Sequence, residues 1–184
     1  MRLFTGLDLP QETKERLDAV VSHLRHSAHV SWSPVYNLHI TTKFIGEWPK
    51  DRLQELTAKL ATVNVSGPVH IEIRGLGWFP NPHSPRIFWA AVHGGPQLAE
   101  LAEATEQACA SLGIPKESRP FSPHLTLARI KQIVPLNALR REIAELKSVD
   151  FGAFSARSFY LYLSEPGPSG SIYTPLHEVA LPSA

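Results

Sequence analysis

Apolar positions along this chain recur in two rhythms, and the switches between them outline its elements. From Leu3 to Leu9 the chain reads as a strand, after which Pro10-Gln11-Glu12-Thr13 opens a segment whose apolar residues Leu17, Val20, Val21 and Leu24 recur at helical spacing. A proline-punctuated loop leads to Asn37-Leu38-His39-Ile40-Thr41-Thr42-Lys43-Phe44-Ile45, of strand composition and ended by Gly46 and Pro49. A helix near Arg52 to Leu60 and a strand near Val69 to Leu76 follow.

The same succession then returns. Ile87 to Val92 is a strand that runs through Gly94-Gly95-Pro96 into a helix carrying Leu98, Leu101, Ala102, Thr105 and Ala108. After the proline-rich turn Arg119-Pro120-Phe121-Ser122-Pro123 comes a second strand, His124 to Ile130. Leu3 maps onto Ile87 at an offset of 84 and His39 onto His124 at an offset of 85, so a strand, helix, loop and strand unit is present twice, near 3–45 and 87–130. With a further helix near Leu136 to Leu146 and a strand near Ser158 to Leu163, the pattern predicts an α+β fold. Two pseudo-symmetric lobes with antiparallel sheets would pack as one bilobal domain over 1–184, with a ligand cleft between them.

Composition narrows this picture. The chain is 43% hydrophobic and 19% charged with 16 prolines, which suits a loop-rich globular domain. Eighteen basic against 17 acidic residues argue against a protein that grips long duplexes; a nucleic-acid substrate would be held by a short end. Cys109 is the only cysteine, so neither an intrachain disulfide nor a cysteine zinc cluster is possible, and it reads as an inert packed thiol. The opening residues enter a strand without a long apolar segment, which leads us to expect a soluble cytoplasmic enzyme, free of membranes and monomeric.

Chemistry enters with the two His-x-Thr sequences, His39-Ile40-Thr41 and His124-Leu125-Thr126. On a strand, residues two apart share a face, so each histidine lies beside a threonine while Leu38, Ile40 and Phe44, or Leu125 and Leu127, face the other way. Phosphodiester cleavage needs a base for the attacking oxygen and an acid for the departing one, and histidine serves both roles near neutral pH. Threonine hydroxyls can donate to non-bridging oxygens. Two ordinary half-buried strand histidines would explain one such motif; they do not explain two at equivalent places in a repeat.

These residues resemble the two-histidine (2H) phosphoesterase superfamily, and within it the RNA 2′,3′-cyclic phosphodiesterases, also called 2′-5′ RNA ligases. The resemblance rests on Leu3-Phe4-Thr5-Gly6-Leu7-Asp8-Leu9-Pro10, on the stretch Asn37 to Glu47, and on Pro123-His124-Leu125-Thr126-Leu127-Ala128-Arg129. Phe79-Pro80-Asn81-Pro82, Leu163-Ser164-Glu165 and Gly170-Ser171-Ile172-Tyr173 agree with it. It implies a lobe holding both termini packed on a lobe from the middle of the chain, and metal-independent hydrolysis of 2′,3′-cyclic phosphate RNA ends or nucleotides to 2′-phosphomonoesters. By the same resemblance His39 would be the proton donor and His124 the proton acceptor, roles that the near-symmetric motifs do not assign. The reverse reaction, 2′-5′ ligation, and a non-catalytic RNA-end or nucleotide binder are the competing functions. Thr42, where relatives commonly carry leucine, lies on the predicted back face and suggests altered packing.

Further residues carry candidate roles beside an ordinary structural one. Arg129 offers a guanidinium fork to phosphate, but strict alternation turns it away from His124, so that role requires a bulge. Lys43 shares the predicted face of His39 and Thr41 and would add positive charge to the cleft, unless it is a solvated strand lysine. Trp32, Phe79 and Tyr173 are candidates to stack on a base or to pack. His23, His26 and His29 recur every third residue, but no carboxylate or cysteine joins them at ligand spacing, so neither a metal nor another cofactor is expected.

Overall fold

The computed structural model describes residues 1–184. Its strands are β1 (Arg2–Leu7), β2 (Ser31–Trp32), β3 (Ile40–Glu47), β4 (Val69–Phe79), β5 (Ile87–Gly94), β6 (His124–Arg129), β7 (Asp150–Ala156), β8 (Ser158–Gly167) and β9 (Gly170–Ala180). The helices are α1 (Gln11–Leu24), α2 (Leu53–Leu60), α3 (Pro96–Ala110) and α4 (Asn137–Ala144). The strands form two sheets, in the orders β3-β1-β8-β9 and β2-β6-β5-β4-β7, and every pairing is antiparallel.

The expected α+β fold with two antiparallel sheets is present, and the duplication is visible in the strand orders. β1 and β5 open the repeats and occupy matching interior places; β3 and β6, the His-x-Thr strands, lie beside them. The first sheet holds both chain ends, and the second is drawn from the middle of the chain plus β2.

Each repeat's helix reaches the sheet of the other repeat. α1 follows β1 but packs against β7 and α4, whereas α3 follows β5 but packs against β3 as well as β4 and β5. The apolar stripe of α1, Leu17, Val21 and Leu24, is buried, as are Leu98, Leu101, Ala102, Ala108 and Cys109 on α3. These crossings merge both sheets into one core of 36 buried residues; each fully buried leucine or phenylalanine contributes roughly 1.5–3 kcal/mol of transfer free energy. Burial pushes the Cys109 thiol up to about 11, consistent with an inert core thiol. No helix is long and apolar enough to cross a membrane.

Three strands lie outside the sequence expectation. β2 has only two residues. β7 carries Gly152 at φ +108° beside a register shift, which interrupts any alternation. β9 is largely exposed and contains Pro175, tolerable on an edge strand because one side of its ladder is unpaired.

Candidate active site

Each His-x-Thr strand carries a bulge at the third residue after its histidine. Gly6 pairs with Thr41 and Thr5 with Lys43, leaving Thr42 unmatched; Trp89 pairs with Thr126 and Phe88 with Ala128, leaving Leu127 unmatched. A bulge sets two successive side chains on the same side of the strand. Accordingly Thr42 and Lys43 are both buried, as are Leu127 and Ala128, and the next residues, Phe44 and Arg129, return to the cleft. The two strands thus present equivalent series, His39, Thr41 and Phe44 opposite His124, Thr126 and Arg129. His39 itself stands one residue before β3, and His124 is the first residue of β6.

The bulges settle two geometric questions. Arg129 lies in the cleft with His124 and Thr126, the placement that strict alternation denied it. Lys43 does not share the face of His39 and Thr41. Only 2% exposed, it points to the back of the sheet, where Nζ donates to Glu106 Oε1 (2.8 Å) and to the Pro115 carbonyl (2.7 Å). The expectation of Lys43 at the cleft is therefore corrected, because the extra residue Thr42 reverses the facing of everything after it. Thr42 is on the back face as expected, its hydroxyl 2.8 Å from that of Thr5.

Both imidazoles are oriented in the same way. His39 Nδ1 lies 2.7 Å from the Asn37 carbonyl and His124 Nδ1 lies 2.9 Å from the Ser122 carbonyl, two residues upstream in each case. A carbonyl only accepts, so both Nδ1 atoms carry hydrogen and Nε2 is left for chemistry. His39 Nε2 is 3.0 Å from Thr41 Oγ1. Phe4 and Tyr173 hold the His39 ring, with centroids 4.7 and 5.0 Å away, and Gly6 lets the strand backbone beside it come close: a Cβ there would stand 2.8 Å from the Ile40 carbonyl oxygen. Burial lowers the His39 pKa below the ordinary histidine value; the Asn37 carbonyl opposes this, while Arg129 and His124 lower it further and Asp8 raises it.

The cleft encloses about 600 Å³, and the residues lining it include Arg2, Arg129 and Lys131 but no aspartate or glutamate. A chain with a net charge of +1 has thus gathered cations around the two histidines, the arrangement an anion requires. With two imidazoles, two hydroxyls and a guanidinium converging there, the site can hold a phosphate and move protons on either side of it.

A family model described as LigT like Phosphoesterase matches residues 7–89 and 92–173, one His-x-Thr motif in each segment. The chain belongs to the LigT-like phosphoesterase family. It is 33% identical to the RNA 2′,3′-cyclic phosphodiesterase of Methanocaldococcus jannaschii over 97% of this chain and 99% of that one. To the protein of the same name from Thermus thermophilus it is also 33% identical, over 98% of this chain and 90% of that one. Among solved structures, TT0787 of Thermus thermophilus is similar with a TM-score of 0.82 at 30% identity, covering 98% and 97% of the two chains. Escherichia coli LigT complexed with 3′-AMP gives 0.74 at 25%, again over 98% and 97%.

This LigT-like phosphoesterase also builds its cleft from residues that periodicity did not single out. Ser164, Ser169, Gly170 and Ser171 come from the β8–β9 hairpin, whose tip is tied down where Asn37 Nδ2 donates to the Ser171 carbonyl at 2.7 Å. Arg2 lies over the Phe44 ring at 5.4 Å. Of the three stacking candidates, Trp32 and Tyr173 line the cleft and Phe79 does not. The internal repeat was the available signal for Phe44, which occupies the place Arg129 holds in the second copy.

Proposed function

We propose that this chain is an RNA 2′,3′-cyclic phosphodiesterase that hydrolyses cyclic phosphate ends of RNA, or nucleoside 2′,3′-cyclic phosphates, to 2′-phosphomonoesters. The observation that carries this reading is the matched pair of imidazoles, both locked by an Nδ1–H bond to the carbonyl two residues upstream, in one carboxylate-free cleft. In the reaction a water oxygen attacks phosphorus and gives its proton to His124 Nε2. The P–O3′ bond breaks, and O3′ takes a proton from His39 Nε2. Neutral His39 accepts from the Thr41 hydroxyl; protonated, it frees that hydrogen for a non-bridging oxygen, to which Thr126 and Arg129 also donate. Both proton-transfer groups come from the chain, so no metal is required. One chain also supplies both strands, which supports action as a monomer.

The test is incubation with a nucleoside 2′,3′-cyclic phosphate in the presence of a chelator, with identification of the product. The 2′-phosphomonoester is expected. Absence of turnover, or its loss on chelation, would refute the mechanism.

The surroundings of His39 add a pH-dependent prediction. The active form is the pair bearing one proton, so kcat/KM should follow a bell whose limbs belong to the coupled site. Burial and Arg129 both disfavour protonated His39 and hold the bell toward low pH. Arg129→Gln removes one of these influences and is expected to move the bell to higher pH while reducing its height through the lost phosphate contact. Kinetics across pH would show it; a bell that stayed in place or moved to lower pH would contradict this account.

A further inference from the structure

Three residues before each histidine stands an exposed aromatic, Tyr36 before His39 and Phe121 before His124. Tyr36 is 72% exposed and Phe121 38%; Phe44 and Phe79 are the other exposed rings. Single exposed apolar residues are common and need no explanation. This pair is different because its members hold equivalent places in the repeat, each three residues before a histidine that lines the same cleft.

Their backbones are also held. Tyr36 lies in the 3-10 turn Val35–Asn37, where the Asn37 and Leu38 amides donate to the Pro34 and Val35 carbonyls and the Asn37 side chain is tied to Ser171. Pro34 and Asn37, on either side of Tyr36 in the chain, line the cleft. Phe121 sits between Pro120 and Pro123, in the segment whose Ser122 carbonyl fixes His124.

We propose that Tyr36 and Phe121 are stacking surfaces for bases of the single-stranded RNA that continues beyond its cyclic phosphate end. The proposal rests on the reading of the cleft as a cyclic phosphodiesterase site and adds a preference for substrate length. Three observations select RNA as the occupant: the closeness of both rings in the chain to residues that line the cleft (Pro34 and Asn37 beside Tyr36, His124 after Phe121), the cations Arg2, Arg129 and Lys131 in that lining without a carboxylate, and exposed aromatic faces that accept any base. With Arg129 on the cyclic phosphate, Arg2 and Lys131 neutralise backbone phosphates, and the two rings take unpaired bases.

The test compares a nucleoside 2′-monophosphate with a hexanucleotide ending in a 2′-phosphate, both measured as bound ligands so that no turnover is needed. The wild-type protein should bind the hexanucleotide at least about fivefold more tightly. Tyr36→Ala and Phe121→Ala should each reduce that ratio severalfold with the salt dependence of binding unchanged, because no phosphate contact is lost. Tyr36→Phe and Phe121→Tyr should keep the ratio, and Tyr36→Leu should not, which separates stacking from mere apolar area. Equal affinity for the two ligands in the wild type, or a ratio indifferent to both alanine variants, would overturn the proposal. Absence of hydrolysis with this length dependence intact would instead refute the cyclic phosphodiesterase reading and leave the stacking surfaces standing.

Discussion

His39→Ala and His124→Ala are each expected to lower turnover of a nucleoside 2′,3′-cyclic phosphate by about 10²- to 10⁴-fold, the range that positioned proton transfer supplies. Neither substitution should unfold the protein. His124 is exposed and gives up one hydrogen bond, to the Ser122 carbonyl; His39 is only partly buried and gives up two, to the Asn37 carbonyl and the Thr41 hydroxyl. Combining them should cost far less than the product of the single effects, because an acid without its base, or the reverse, is already disabled. A substrate with sulfur in place of O3′ assigns the roles: a thiolate leaves without a proton, so this substrate should recover much of the rate in His39→Ala and little in His124→Ala. Wild-type rates in either alanine variant would show that the pair is not the acid and base, and selective recovery of His124→Ala would exchange their roles.

How much of this site can be read from the sequence depends on the kind of signal each residue leaves. His39, Thr41, His124 and Thr126 are legible because a period-two motif repeated at equivalent offsets is visible in one dimension, and the strands carry them to one cleft. Facing beyond the threonines is not legible in the same way. One unmatched residue on each strand, Thr42 or Leu127, inverts every side chain after it, and threonine and leucine are ordinary strand residues that do not announce a bulge. That single event hides Lys43 in the interior and brings Arg129 into the cleft. The repeat offers a partial remedy: Leu127 and Ala128 are consecutive apolar residues, a break in alternation that predicts a matching break at Thr42 and Lys43. The sheets follow the same logic. Central strands such as β1 and β5 are rich in buried apolar residues, whereas the edge strand β9 exposes most of its length, contains a proline, and gives little pattern to detect.

The largest stability effect is expected at the place where the sequence reading of Lys43 failed. Glu106→Ala should destabilise the fold by about 3 kcal/mol, because it removes the hydrogen-bonded carboxylate at 2.8 Å from the buried Lys43 ammonium and leaves it only the half-exposed Glu117 carboxylate at 3.8 Å. For a chain of 184 residues this corresponds to a fall in Tm of roughly 10 °C. The converse substitution should cost less. Lys43→Met fills the same channel with an apolar chain, and the carboxylate it abandons is better placed, with 15% of the Glu106 side chain exposed against 1% for Lys43 and the Glu117 amide still donating to it at 3.1 Å. Lys43→Met with Glu106→Leu should recover most of the loss, since removing both charges also removes the cost of burying them. The pair joins β3, which His39 immediately precedes, to α3, the helix that crosses from the other repeat, and to the segment leading toward His124 through the Pro115 carbonyl. Thermal and urea denaturation of the three variants would measure the asymmetry. A Glu106→Ala protein as stable as an exposed-surface variant would mean that the ammonium finds solvent or another acceptor and that this crossing is not what anchors the His39 strand.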